Sequence, residues 1–243
     1  MASKNYSHLT HIYSYIMRSI DYSKWASYIY SISKRLHRKN LFTLELACGN
    51  GIIAGKLSGK YGYFCMSDLS IHMLNQSGNN LDKVCCNMTE LPFKQKFDFV
   101  FSTFDSVNYL MSKQKILAML SQVHMCLKQD GIFTFDVSLE NNSKLYQRYL
   151  NRKGSVNGIK FIQKSYYDEI KRIHNNFFEI TLANGQKVEE IHRQKIYPFE
   201  DYFNVIDKSN FYVYKCKDTF TDIDATLESE RAQFILKKKR IQC

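Results

Sequence analysis

The chain has 243 residues, a formal net charge of +11, 44% hydrophobic residues and 14% aromatic residues. That length holds one α/β domain with an elaboration, or two small domains sharing a core. No apolar run approaches the roughly 20 residues that span a membrane, and the opening Met-Ala-Ser-Lys-Asn-Tyr lacks the apolar stretch of a signal peptide, so a cytoplasmic protein is expected.

Residues 4–19 and 21–38 read as two amphipathic helices, with Asp21 as N-cap of the second and Trp25, Ile29, Ile32 and Leu36 at helical spacing. Residues 41–47 form a short apolar strand that Gly49 and Gly51 interrupt, and a helix begins near Ile52. A strand at 62–67, a helix from Ser70, strands near 83–86 and 96–102, a helix at 112–127 and a strand at 132–137 follow. Alternation at this spacing predicts a parallel sheet covered by helices on both faces. After about residue 140 the pattern changes to three successive strands, 160–167, 172–182 and 187–196, with hairpin turns at Asp168–Lys171 and Asn184-Gly185. Pro198 opens a helix to about Lys208, and strands near 211–217 and 229–237 complete the pattern. The expected organisation is an N-terminal helical cap at 1–40, an α/β core at 41–140 and 197–243, and an inserted antiparallel β lid at 141–196.

The 7 Cys are scattered, with Cys85 and Cys86 as the close pair, and no spacing resembles a zinc site. Reduced thiols and no metal are expected. The net positive charge admits nucleic acid as a partner. Its two clusters, Lys34, Arg35, Arg38 and Lys39, and Lys237 to Arg240, also read as solvated faces, the first complementing a helix C-terminus.

The most informative segment is Leu44-Glu45-Leu46-Ala47-Cys48-Gly49-Asn50-Gly51. Small residues at a strand end let a ligand approach the backbone, and the following helix offers unpaired amides. Ligands of open α/β sheets bind at this edge. Gly49-x-Gly51-x-x-Ala54 also satisfies the weak dinucleotide fingerprint. Asp68, at the end of the second strand, suits the ribose hydroxyls of NAD and of S-adenosylmethionine alike.

The wider sequence separates the two. Residues 44–51 resemble the first motif of class I S-adenosylmethionine-dependent methyltransferases, and Ser67-Asp68-Leu69-Ser70-Ile71-His72-Met73-Leu74 resembles their second. Asn87-Met88-Thr89-Glu90-Leu91-Pro92-Phe93 is similar to the adenine loop, and Phe97-Asp98-Phe99-Val100 to the fourth strand. Phe104 to Leu110 is similar to a segment of small-molecule N- and O-methyltransferases, and Leu127 to Val137 to the fifth strand. Order and spacing agree across roughly 41–137. The resemblance implies a Rossmann-like seven-stranded sheet and S-adenosyl-L-methionine as cofactor. It implies a cofactor site of Tyr13, Tyr22, Glu45, Ala47, Cys48, Gly49, Gly51, Asp68, Leu69, Met73, Asn87, Met88 and Phe104. Asn87 stands where the family commonly has Asp, and its carbonyl accepts the same hydrogen bond. Ser14 replaces the Asp that usually follows the first Tyr.

Methyl transfer needs a general base only when the acceptor is protonated. His192, late in the predicted meander, is the candidate; Tyr13, Asn108 and Tyr109 are candidates for the acceptor pocket. Phe161, Tyr166 and Phe177 form an aromatic lid or simply pack a sheet. Asp105 either holds a cationic amine or caps a turn. The expected acceptor is an amine or hydroxyl of a small molecule or short peptide. An RNA methyltransferase using the basic surface, a non-catalytic adenosylmethionine- or dinucleotide-binding module, and more remotely a dehydrogenase stand as alternatives. Oligomeric state is not legible.

Overall fold

A computed structural model describes residues 6–240. Two helices come first, α1 (Thr10–Ile16) and α2 (Tyr22–Ser33). They are shorter than the periodicity suggests, and residues 4 and 5 of the first predicted helix lie outside the described residues. Asp21 does cap α2, accepting from the Lys24 amide at 2.9 Å. A short 3₁₀ turn follows α2, and His37 in the left-handed region ends it.

The alternating segment then builds β1 (Phe42–Leu46), α3 (Ile52–Leu57), β2 (Tyr63–Asp68), α4 (Ile71–Asn75), β3 (Asp82–Cys85), β4 (Phe97–Ser102), α5 (Lys113–Cys126) and β5 (Leu127–Ser138). After these come α6 (Glu140–Tyr149), β6 (Arg152–Val156), β7 (Ile159–Asp168), β8 (Ile173–Thr181), β9 (Lys187–Lys195), α7 (Phe199–Asp207), β10 (Phe211–Asp218) and β11 (Arg231–Lys238). The seven-stranded sheet runs β10-β11-β5-β4-β1-β2-β3. β1 to β5 are parallel, and β11 is antiparallel to both its neighbours.

Strand alternation divides the core between the two faces. Leu44, Leu46, Val100, Phe133 and Phe135 meet Met119, Leu120 and Val123 of α5 and Tyr202 and Val205 of α7. Phe64, Met66, Phe99, Phe101 and Ile132 meet Trp25, Ile29 and Ile32 of α2 and Ile53, Ala54 and Leu57 of α3. Both faces are covered, as the near-continuous apolar strands require.

The inserted region is a separate sheet of four strands, β6-β7-β8-β9, not three. β6 carries Gly154 and no apolar alternation, so its sequence has no strand signature. It forms by pairing with β7, and Gly154 leaves room for the Phe161 ring, which a Cβ would meet at 2.8 Å. α6 lacks an apolar stripe, since its buried residues are Asn142 and Ser143. The N-terminal helices divide their loyalties. α2 packs on the large sheet, whereas Leu9, Ile12 and Ile16 of the α1 segment pack on Phe161, Phe178 and Ile180 of the small one.

Asn108, expected to line the acceptor pocket, instead ties the elements together. It is fully buried and lies outside the cleft wall. Its Nδ2 donates to Lys195 O at 2.8 Å and Ser138 O at 3.1 Å and lies 3.2 Å from Tyr202 Oη; its Oδ1 accepts from Ser138 N at 3.0 Å. One amide thus joins the ends of β5 and β9 to α7. Asn108→Ala leaves these buried groups unpaired and should cost about 2–4 kcal/mol, read as a lower midpoint in urea unfolding.

Candidate active site

The site begins at the carboxyl ends of β1, β2 and β4. Ala47, Gly49 and Gly51 all take positive φ, so the chain after β1 coils tightly before α3 starts. The Asp68 carboxylate holds this bend: Oδ2 accepts from Gly49 N at 2.8 Å and Oδ1 from Ser70 N at 2.7 Å. Burial raises the Asp68 pKa, and the backbone amides partly oppose that. Gly51 packs closely, since a Cβ there would meet Met66 Cε at 2.7 Å. Gly49 faces the thioether methyl of Met73, which a Cβ would meet at 3.2 Å.

Above the bend lies a cleft of about 670 Å³ between the large sheet, the helical cap and the small sheet. Ala47, Cys48, Gly49, Asp68, Leu69, Met73, Asn87, Met88 and Phe104 line it, as do Tyr13 and Tyr22. Asn87 Oδ1 already accepts from Thr89 N at 3.1 Å, which folds its loop and leaves one lone pair and the amide nitrogen for a ligand. The Tyr22 ring stands edge-on to Phe104 at 5.6 Å, and its buried hydroxyl has no partner among the described residues. Trp25 and Phe220, both on the same wall, extend this aromatic flank.

Two residues of the expected cofactor set lie elsewhere. Glu45 is buried beneath the bend; burial first, then the Asp68 charge, hold its pKa well above the ordinary value, which the Ala54 backbone only partly opposes. Gly51 lies behind the wall as the N-cap of α3. Both shape the bend rather than the cleft surface.

The opposite end of the cleft is a chain of hydrogen bonds. His192 Nε2 lies 3.3 Å from Glu190 Oε2, and His192 Nδ1 lies 3.3 Å from Tyr109 Oη. Tyr109 Oη lies 2.9 Å from Tyr6 Oη, and the Tyr13 ring stands edge-on to Tyr6 at 5.8 Å. An ionised carboxylate only accepts, so the imidazole proton is assigned to Nε2 and Nδ1 presents its lone pair to Tyr109. Burial raises the pKa values of Tyr6, Tyr13 and Tyr109, which therefore stay neutral near pH 7.

Glu190 is also the clasp of the N-terminal segment. It accepts from the Tyr6, His8 and Leu9 amides and from Ser7 Oγ. Burial alone would raise its pKa, but the His192 hydrogen bond and the His8 and Leu9 amides bring it down to about 2. Asp105 is no open anchor for an amine: Arg231 Nη1 pairs with it at 3.0 Å and also with buried Asp136, and Gln194 Nε2 donates to it at 2.8 Å. Among the expected lid aromatics, Phe161 is buried against α1, Tyr166 is exposed and Phe177 lies outside the wall; Phe178 takes the cleft position.

Sequence reasoning missed Tyr6, Glu190, Arg152, Gln163, Asn176 and Arg231. Glu190, His192 and Gln194 alternate along β9 and share one face, a period-two polar pattern that could have drawn attention to Glu190. Among the described residues no group of three His, Cys, Asp or Glu side chains could hold a metal, and no helix is long and apolar enough to cross a membrane.

The Glu190 clasp carries a pH signature. A carboxylate whose pKa falls on folding stabilises above its unfolded value and loses that contribution as pH drops through its folded value. The fall from 4.5 to about 2 corresponds to about 3 kcal/mol. Glu190→Gln should therefore lower stability at pH 7 by about 2–3 kcal/mol and flatten the acid limb between pH 4.5 and 2, measured by urea unfolding across that range.

Comparison with known proteins agrees with this geometry. Residues 43–131 match the family model described as a methyltransferase domain. The chain is 27% identical to "Putative methyltransferase YqeM" of Bacillus subtilis (strain 168), over 97% of this chain and 98% of the relative. It is 28% identical to "Putative methyltransferase GWCH70_2453" of Geobacillus sp. (strain WCH70), over 96% and 99%. In fold it is similar to an S-adenosylmethionine-dependent methyltransferase from Clostridium acetobutylicum ATCC 824, with a TM-score of 0.80 at 22% identity over 96% and 98% of the two chains. It is likewise similar to the sugar N-methyltransferase KedS8 from Streptoalloteichus sp ATCC 53650, with a TM-score of 0.76 at 15% identity over 95% and 93%. Residues 43–131 thus form a methyltransferase domain, set in a chain whose sheet order and fold are similar to those of S-adenosylmethionine-dependent methyltransferases.

Proposed function

We propose that the protein transfers the methyl group of S-adenosylmethionine to a nitrogen or oxygen of a small molecule or short peptide. The observation that carries this reading is the pairing of a glycine bend with a buried carboxylate in one cleft wall, Gly49 on Asp68. The residues present fit the adenosyl group. Asp68 keeps lone pairs for ribose hydroxyls, Asn87 and Met88 would flank the base, and the unpartnered Tyr22 hydroxyl would reach a polar atom of the ligand. When bound, the cofactor supplies an electrophilic methyl carbon on a sulfonium.

The chain's own residues orient the acceptor and exclude water. The cap and the small sheet roof the cleft, and the volume suits a small ligand beside a nucleoside. Tyr6, Tyr109 and His192 form the route by which an acceptor's proton would leave. A proton taken at Tyr6 Oη displaces the Tyr6 proton to Tyr109 and the Tyr109 proton to His192 Nδ1. Glu190 fixes the tautomer that leaves Nδ1 able to accept, and its charge stabilises the imidazolium. A polynucleotide acceptor is less well served, because the described roof leaves an enclosed cleft rather than an open basic groove.

S-adenosylhomocysteine should bind in the micromolar range by calorimetry, and Asp68→Ala should weaken it by about 1–3 kcal/mol. Tighter binding of NAD, or no binding of either, would contradict the cofactor assignment. Once a labelled-methyl screen finds an acceptor, His192→Gln should lower kcat about 10²-fold where the acceptor is protonated, with S-adenosylhomocysteine affinity unchanged. Turnover that is insensitive to this change would remove the relay, and binding without methylation of any acceptor would favour a regulatory module.

A further inference from the structure

The lid end of the cleft has a polarity that neither the bend nor the relay uses. Arg152 on β6, Gln163 on β7 and Asn176 on β8 line this end. Arg152 Nε donates to Gln163 Oε1 at 2.8 Å, and Gln163 Nε2 donates to Asn176 Oδ1 at 3.1 Å. The first link sets the direction of the whole series. A guanidinium has no acceptor, so the Gln163 oxygen must face it; its amide nitrogen then faces Asn176, whose oxygen must accept. The usual ambiguity between amide oxygen and nitrogen is thereby removed. The nitrogens left over are donors: Arg152 Nη1 and Asn176 Nδ2 have no partner among the described residues.

The charge at this end is also uncompensated. No carboxylate pairs with Arg152 among the described residues, and the charged neighbour it senses is Arg18, of like sign. Arg18 is exposed, sits over the Tyr15 ring at 3.9 Å and donates to Tyr15 O. The two acids of the cleft wall are engaged elsewhere, Asp68 with the bend and Asp105 with Arg231. Arg152 also donates from Nη2 to Ile16 O at 3.0 Å. With the Nε bond to Gln163, two of its five donors are engaged. Desolvating an unpaired guanidinium is unfavourable unless a ligand supplies the opposite charge.

We propose that Arg152 and Asn176 form an anion subsite, and that the methyl acceptor carries a carboxylate or phosphate anchored there. This rests on the methyltransferase reading above and adds the substrate class. A planar or tetrahedral oxyanion matches the guanidinium fork, and the Asn176 amide supplies a further donor. The positive net charge of the chain, +11, draws such a ligand toward the molecule. Fixing the acceptor's anionic end at the lid directs its nucleophile toward the cofactor side of the same cleft.

The test uses inorganic phosphate and acetate as probes, titrated by ligand-observed NMR into wild type, Arg152→Gln, Arg152→Lys and Arg18→Gln. Each titration is run with and without S-adenosylhomocysteine. Wild type should bind at least one anion at millimolar concentration, and Arg152→Gln should weaken it about tenfold. Arg152→Lys should retain part of the affinity, and S-adenosylhomocysteine affinity should stay within about twofold in every variant. Preference for phosphate or for acetate reads which oxyanion the acceptor carries. Equal anion binding by wild type and Arg152→Gln, or none by wild type, overturns the subsite. Loss of S-adenosylhomocysteine binding with intact Arg152-dependent anion binding counts against the cofactor reading and leaves the subsite standing.

Discussion

The structure depends on one short-range interaction, the grip of the Asp68 carboxylate on the Gly49 and Ser70 amides. Three positive-φ residues in five positions make the bend after β1 conformationally expensive. A charge-assisted pair of hydrogen bonds from the neighbouring strand holds it. The parallel pairing of β1 with β2 places the carboxylate there, because Leu46 lies opposite Ser67 and Asp68 is the next residue. The same carboxylate lines the cleft, so in the proposed function holding the bend and presenting a ligand group are one task.

The second constraint is the closure of the cleft by elements that do not belong to the sheet beneath it. α1 adheres to the small sheet through an apolar cluster, and Glu190 binds the residues before α1 through their amides. Asn108 then links the small sheet to the end of β5. The small sheet is thus joined to the rest of the molecule at buried polar points, whereas α2 of the cap meets the large sheet through an apolar cluster. Such points are strong when satisfied and give way together when one partner is removed. His192 belongs to both worlds, as a wall residue and as the partner of the clasp.

The large sheet was legible because its strands are short apolar runs separated by helical periods, and the parallel order follows from that alternation. The bend and Asp68 were legible because both lie in local motifs. α6 and β6 were not, since one has no apolar stripe and the other forms only through its partner strand. Glu45, inside the recognisable motif, is buried and outside the cleft wall, which the motif alone does not reveal. Asn108 was misread for a related reason: its surroundings come from Ser138, Lys195 and Tyr202, all remote in the chain. The Arg152, Gln163 and Asn176 series is likewise assembled across three strands, and no window along the sequence contains it as a pattern.

The proposed function divides the cleft, with adenosyl recognition at the bend and both proton removal and acceptor binding at the opposite end, beneath the small sheet. The most direct measurement is a crystal structure of the protein grown with S-adenosylhomocysteine. The account predicts the ribose hydroxyls on the Asp68 carboxylate, the amino-acid end over Gly49 and the adenine beside Asn87 and Met88. A ligand bound elsewhere, with the space between Gly49 and Asp68 closed by side chains, would contradict it.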